Sequence, residues 1–148
     1  QDTIYQYSKN KTLSPILVKT PSIYSQDPQM MVIPEFKTPK LFFLERTERK
    51  FNFETKEGFE REKIVYDYQS GLFYKYALKN KDYPNQIFYL NSGGYAYRTG
   101  KNTICQFISA EELIEANDEG ELHGTLKDIT KTLRIDDNPV LMIMKFRE

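Results

Sequence analysis

Two residues with the chemistry of a nucleophile and a general base occur once each in the chain, Cys105 and His123. A cysteine thiolate activated by a neighbouring imidazole is a common catalytic pair. Cys105, however, lies in "TICQFI", a pattern typical of a buried strand, and His123 lies in the polar link "ELHG". No cysteine-enzyme signature surrounds either residue. We therefore predict a core thiol and a surface imidazole, and we expect no catalytic residue in this chain.

Two kinds of loop could hold a phosphate or a metal ion. "NSGGY", from Asn91 to Tyr95, has the glycines of a phosphate loop but lacks its lysine and the helix that follows, so we predict a hairpin turn. The acidic stretches "EANDEGE" and "IDDN" carry carboxylates that suit calcium, but neither has the spacing of a calcium-binding loop. We interpret them as solvated helix ends, and we expect neither a metal ion nor a cofactor.

Tyrosine is the residue type best suited to ligand binding, because an aromatic ring packs on the apolar face of a sugar while nearby polar groups bond its hydroxyls. The alternative for such residues is a cross-strand ladder in the core, which we predict for four of the eleven tyrosines: Tyr66, Tyr68, Tyr74 and Tyr76. Tyr83, Tyr95 and Tyr97 lie in or near loops. These three residues are the candidate ligand-binding residues.

Composition limits the class of protein. The 148 residues are enough for one domain with a real core, and 21 basic residues balance 21 acidic ones, so no overall field favours nucleic acid. A single cysteine cannot form an intramolecular disulfide. No run approaches the roughly 18 apolar residues of a membrane span. No signal segment opens the chain at Gln1, so we expect that any targeting sequence has been removed.

The elements that must position these residues are mostly short strands. Apolar runs rich in aromatic and β-branched residues alternate with polar or proline-bearing turns, which predicts antiparallel hairpins through residue 108. The predicted strands cover residues 2–8, 15–20, 29–34, 40–47, 50–54, 62–68, 71–78, 86–90 and 103–108.

One hairpin can be assigned a register. A three-residue turn over Gln69–Gly71, with Gly71 in the left-handed region, makes one face almost wholly aromatic and aliphatic. The opposed pairs are then Tyr68 with Leu72, Tyr66 with Tyr74, and Ile64 with Tyr76.

The periodicity changes after Ile108. Ser109 followed by Glu112 has the form of a capping box, which predicts a helix from Ala110 to Asn117 that ends before Gly120.

A second helix is indicated by Thr125 with Asp128 and by an apolar stripe that runs to about Arg134. Asn138 and Pro139 then turn the chain. Residues 140–144 are apolar at every position, which predicts an interior strand buried on both faces.

Three stretches carry a resemblance: "DTIYQY", "VYDYQSGLFYKY" and "SAEELIEANDEGELHGTLKDITKTLRIDDNPVLMIMKF". Together they resemble the C-terminal half of the six-bladed β-propeller lipoproteins of Bacteroides-type bacteria, a family of unknown function. The resemblance implies that a "DTIY" strand begins a blade and that a helical excursion precedes an "NPVL" strand that completes the ring. Six blades of roughly 40 residues need about 240 residues, so about three fit this chain.

The domain organisation that follows is a single β-rich domain, residues 1–148, that forms part of a larger propeller. Residues 1–108 form blade-like hairpins, residues 109–134 the helical excursion and residues 139–146 the closing strand. About three blades leave open sheet faces. A second copy of the chain, the N-terminal blades or the helix pair would cover them.

The resemblance also implies a periplasmic or cell-surface lipoprotein. The function that we expect is a non-enzymatic binding module of the cell envelope, with a glycan, a peptide or an envelope protein as partner and without nucleic acid. The alternative is a hydrolase or lyase acting on glycans, with catalytic groups that lie mostly outside this chain.

Overall fold

The structure is a computed structural model, and it describes residues 2–51, 53–55, 59–90, 96–98 and 102–147. The chain is mainly β, its strands pair in antiparallel fashion, and both α-helices follow Ile108, which confirms the predicted fold class. Among the described helices, none has the length and apolar character needed to cross a membrane.

The strands are β1 (Thr3–Tyr7), β2 (Leu13–Val18), β3 (Met30–Lys37), β4 (Leu41–Glu48), β5 (Arg61–Asp67), β6 (Leu72–Lys75), β7 (Leu78–Asn80), β8 (Tyr83–Phe88), β9 (Ala96–Arg98), β10 (Thr103–Ile108) and β11 (Val140–Lys145). The α-helices are α1 (Ala110–Asp118) and α2 (Gly124–Thr130), and a 3-10 turn covers Ile23–Ser25.

The prediction of a strand at residues 50–54 is wrong for the residues of this range that the structure describes. Phe53 lies in a turn, and its ring packs on Phe51 with 4.9 Å between the ring centroids. In a strand, residues two apart point to the same face but lie well separated along the chain. The turn brings the two rings together instead.

The chain divides into two compact units, of which the first comprises Gln1–Phe36 and Lys40–Tyr76. It contains the β1–β2 hairpin and a four-stranded sheet in the order β3-β4-β5-β6. Phe42, Phe43 and Leu44 are consecutive residues of β4, and all three are buried. Successive side chains point to opposite faces of a strand, so this central strand is covered on both faces.

The predicted register of the β5–β6 hairpin is wrong by one residue. The observed pairs are Asp67 with Leu72, Tyr66 with Phe73, and Val65 with Tyr74. Since a one-residue shift exchanges the faces of a strand, Tyr74 shares a face with Val65 and not with Tyr66. The single tyrosine ladder that we expected is therefore not formed.

The physical reason lies in the turn, which contains four residues from Tyr68 to Gly71. The Asp67 carboxylate accepts hydrogen bonds from the Gln69 N–H (2.8 Å) and the Ser70 hydroxyl (3.1 Å). These bonds hold the pKa of Asp67 below its ordinary value. Gly71 does take the predicted left-handed conformation, with φ of 71°. These bonds from the aspartate favour a loop that is one residue longer than predicted.

The second unit comprises Lys37–Pro39 and Ala77–Glu148. It contains the β7–β8 hairpin, a three-stranded sheet in the order β11-β10-β9, and both helices. Helix α1 begins as predicted, because the Ser109 hydroxyl accepts from the Glu112 N–H at 3.1 Å. The core of this unit is built by Tyr83, Phe88, Ile108, Leu113, Ala116, Leu122 and Leu126.

Helix α2 begins and ends earlier than predicted. His123, not a residue near Thr125, is the N-cap, and its side chain makes no capping bond. The carboxylate of Asp82, in the β7–β8 turn, accepts from the Leu126 N–H at 3.4 Å, and the Asp82 carbonyl accepts from the His123 N–H at 2.8 Å. A residue distant in sequence therefore caps this helix.

The strand predicted at residues 140–144 is present as β11, but its predicted interior position is wrong. Within the described part of the sheet, β11 is an edge strand. Val140 and Met142 pack on the core, whereas Leu141 and Ile143 are 47% and 57% exposed. The core covers one face of the strand, so two of the five apolar side chains are exposed.

Candidate functional site

The three candidate ligand-binding tyrosines lie in different places in the structure. Tyr83 is 6% exposed, and its ring centroid lies 6.4 Å from that of Phe88 in the core. Burial, followed by the negative charge of Glu112, raises the pKa of the Tyr83 hydroxyl. The expectation that Tyr83 offers an exposed ring near a loop is therefore wrong, because the ring is buried in the core. Tyr95 lies outside the described residues, and the backbone of Tyr97 lies in β9 opposite Cys105.

The residues with nucleophile and base chemistry lie where the sequence indicated. Cys105 is buried in β10, and His123 is exposed at the start of α2. The described residues contain no group of three or more His, Cys, Asp or Glu side chains arranged to hold a metal ion.

The first unit holds a buried charge cluster, formed by Glu35, Glu45, Lys63 and Tyr76. The Lys63 ammonium forms ion pairs with Glu35 and, at 2.7 Å, with Glu45. The Tyr76 hydroxyl donates to the second carboxylate oxygen of Glu35 at 2.8 Å. The Glu35 side chain is 2% exposed, and that of Glu45 is 9% exposed. The two carboxylates thus lie almost out of reach of solvent, whereas the Lys63 side chain is 15% exposed.

Electrostatics assign this cluster a structural role. Burial by itself lowers the pKa of Lys63, but the hydrogen bonds to Glu35 and Glu45 outweigh it, and the net pKa is raised. Burial and then the bond to Glu35 raise the pKa of Tyr76. With Arg61 at 3.7 Å from Glu45, two carboxylates face two cations. Both carboxylates are occupied by partners, and the loss of a partner would leave a buried charge uncompensated.

The second unit contains a groove of about 500 Å³ between β8, β10 and the start of α1. We call it the aromatic groove. Its lining includes Gln86, Ile87, Tyr89, Gln106, Phe107 and Glu112. Ile87, Tyr89 and Phe107 are 42%, 44% and 43% exposed. Aromatic and aliphatic surface beside a few polar groups is the usual lining of a ligand site.

Among the described residues, Gln106 is the polar residue of the aromatic groove with an unsatisfied hydrogen-bond acceptor. Its Oε1 atom is buried, and no donor among the described residues bonds it. An unsatisfied buried acceptor costs roughly 1–3 kcal/mol, so such groups normally have a partner. Because this atom has almost no exposed surface, a molecule bound in the groove reaches it only when the Gln106 side chain turns toward the groove.

Glu112 provides a second acceptor in the same groove. It belongs to the first turn of α1, where its N–H bonds Ser109 and its side chain is partly buried. Burial raises the pKa of the Glu112 carboxyl. An acid in such a place gains from hydrogen-bond donors that replace lost water.

The sequence does not indicate that these residues form a groove. Its patterns predict Tyr89 and Gln106 only as parts of strands, and Glu112 only as part of a capping box. The usable signal was the alternation within "QIFYL", which puts Ile87 and Tyr89 on the same face, opposite to the buried Phe88. That signal does not tell which strands form the opposite wall.

Comparison with known proteins identifies no relative of this chain. The resemblance to propeller lipoproteins rests on the quoted stretches alone and stays a prediction. No family model, no curated protein and no solved structure matches the chain.

Proposed function

We propose that the chain is a non-enzymatic binding module whose aromatic groove takes a glycan. The observation that carries this proposal is Gln106 Oε1, a buried acceptor without a donor among the described residues, in a groove with the exposed rings of Tyr89 and Phe107. A sugar matches both features, because its C–H faces pack on aromatic rings and its hydroxyls donate hydrogen bonds.

The size and chemistry of the groove support this ligand class. A volume of about 500 Å³ falls within the range of small-molecule sites. The amide of Gln106 and the carboxylate of Glu112 both accept from hydroxyls, and Gln86 adds a further amide. A ligand with several hydroxyls on an apolar frame matches this combination of acceptors and apolar surface.

The groove supports binding over hydrolysis. Glycosidases generally use a pair of carboxyl groups that flank the scissile bond. Glu112 is the one carboxylate among the described residues that line the groove. Glu35 and Glu45, which share the Lys63 ammonium, are buried in the first unit and lie outside the groove lining. The enzymatic alternative has no comparable observation in its favour.

The cellular setting is part of the same proposal. A binding module within a periplasmic or surface-exposed propeller lipoprotein would meet glycans, peptides and envelope proteins. The order of α1, α2 and then β11 supports this, because a helical excursion followed by a strand is what the resemblance implies.

The test is a glycan screen followed by calorimetric titration of the best ligand. Phe107→Ala should weaken binding by about tenfold, since an aromatic contact contributes about 1 kcal/mol or more. Phe73→Ala, which removes a 54% exposed ring from β6 in the other unit, is the matched control and should change nothing. A screen without hits, or equal affinities for both variants, overturns the proposal.

Gln106→Leu separates a ligand role from a structural one. Replacing an unsatisfied buried acceptor by an apolar group of similar shape is neutral or stabilising. We therefore expect unfolding free energy to hold or rise while glycan affinity falls. A variant that loses stability and retains affinity would show that Gln106 serves the fold and not the ligand.

A further inference from the structure

A second cleft of the same unit, of about 470 Å³, is bordered by residues of β7 and β11. One wall consists of the consecutive residues Leu78–Lys81 and the other of the consecutive residues Met142–Phe146. Side chains that share one strand face are two residues apart, so an unbroken run means that strand edges, and not faces, border the space. The Asn80 side-chain N–H donates to the Met142 sulfur at 3.6 Å, which places β7 beside β11. We call this the strand-edge cleft.

The edge of β11 has backbone groups available for pairing. The Phe146 N–H donates to the Asn102 carbonyl at 2.9 Å, and the register continues through Lys145 opposite Thr103. Hydrogen-bonded and non-bonded positions alternate in an antiparallel pair. Ile143 and Lys145 therefore direct their N–H and C=O groups away from β10. Within the described residues, no strand pairs with that edge.

The rim of the strand-edge cleft is positively charged. Lys79, Lys81 and Lys145 line it, all three are exposed, and none forms an ion pair with another described residue. No acidic residue occurs among the described lining residues. The floor is apolar, with buried Phe88 and half-buried Met142. An occupant that matches the cleft must offer backbone hydrogen bonds, negative charge and some apolar surface.

We propose that the strand-edge cleft binds an extended acidic peptide of a partner protein, which adds a strand to β11. Strand addition obtains affinity from main-chain bonds and specificity from alternate side chains. The five residues Met142–Phe146 offer an edge of about 16 Å. Exposed Ile143 and Lys145 share the outer face, so the peptide carries an apolar residue and a carboxylate two positions apart. This interaction is independent of the aromatic groove.

The test uses two end-capped peptides that differ in one residue. One carries valine and glutamate two positions apart in a threonine background, and the other has lysine in place of the glutamate. Fluorescence anisotropy with the full chain should show binding of the acidic peptide, weakened by added salt, and no binding of the basic one. If the edge lysines serve only to prevent aggregation, neither peptide will bind, and that result overturns the proposal.

Three variants test the mode of binding. Ile143→Pro removes an outward N–H without breaking a bond to β10, as proline is tolerated on edge strands, whereas Ile143→Thr keeps the N–H. We expect Ile143→Pro to bind the acidic peptide about tenfold more weakly than Ile143→Thr. Lys145→Glu should transfer the preference to the basic peptide, and it tests the charge even where the proline variant fails to fold.

Two results would contradict this mode of binding. One is equal affinity of Ile143→Pro and Ile143→Thr, with the Met142 and Met144 amides still protected from exchange. The other is concentration-dependent dimerisation that the acidic peptide does not reverse, because a second copy of β11 would then occupy the edge.

Discussion

The carboxylate of Asp82 lies directly against the backbone of Gly124, so that a Cβ at position 124 would be 2.7 Å from Asp82 Oδ1. Real Cβ atoms do not approach so closely. Gly124 also has a φ of 51°, in the left-handed region that glycine adopts without steric cost. The same carboxylate caps α2 through the Leu126 N–H. The start of this helix thus depends on the aspartate and on the glycine beside it.

Gly124→Ala should be more destabilising than Gly120→Ala. Both glycines are left-handed, with φ of 51° and 76°, so both alanines incur a cost of about 1 kcal/mol. Only the alanine at position 124 meets an obstacle, because nothing lies within 4 Å of a Cβ at position 120. We expect about 1 kcal/mol more loss for Gly124→Ala by urea unfolding. Equal losses would show that Asp82 moves away without cost.

Asp82→Ala should remove the cap of α2 and reduce the unfolding free energy by about 0.5–2 kcal/mol. Asp82→Asn keeps an acceptor oxygen and should lose less. In the Asp82→Ala background the obstacle is gone, so Gly124→Ala should then cost no more than Gly120→Ala does. Strict additivity in this double-mutant cycle would contradict the contact.

These contacts show which features the sequence could predict. Helix α1 was predictable because its cap, Ser109, and the N–H it accepts from are three residues apart. The cap of α2 was not, because Asp82 and Leu126 are 44 residues apart and only the tertiary fold brings them together. Thr125 and Asp128 have the spacing of a cap, and the fold does not use them.

The strand features follow the same rule. The existence of β11 was predictable from its apolar run, but its burial depends on which face the core covers. The β5–β6 register depends on the side chain of Asp67, which lengthens the turn by one residue. The aromatic groove could not be predicted from the sequence, since its walls come from elements that do not pair with one another.

Lys63→Met should be strongly destabilising. It leaves the buried carboxylates of Glu35 and Glu45 without their shared cation, and breaking a buried ion pair typically costs about 3–5 kcal/mol. The control is Lys131→Met, which removes an exposed pair with Asp128 and should cost under about 1 kcal/mol. Similar losses in chemical denaturation would mean that the cluster contributes no more than a surface pair.

Alkaline pH should weaken the fold through the same cluster. The pKa values of Lys63 and Tyr76 are raised from ordinary values of 10.5 and 10.0, so above pH 10 the native state holds more protons than the unfolded state. The stabilisation is complete below pH 10 and is lost as the pH rises through the raised values. The unfolding free energy should fall less between neutral and alkaline pH in Tyr76→Phe than in the unchanged chain, because only Lys63 of the two groups remains. Tyr24→Phe, which alters an exposed ring, should leave this pH dependence unchanged. Identical pH dependence in both variants would contradict the assignment.

The most direct measurement of the central claim is an amide chemical-shift titration of the chain with the glycan selected by the screen. If the aromatic groove is the binding site, the largest shifts will occur at residues 86–89, 106–109 and 112, together with the side-chain amide of Gln106. Shifts that are absent from these residues while the glycan binds, or that concentrate on the strand-edge cleft, would contradict the account.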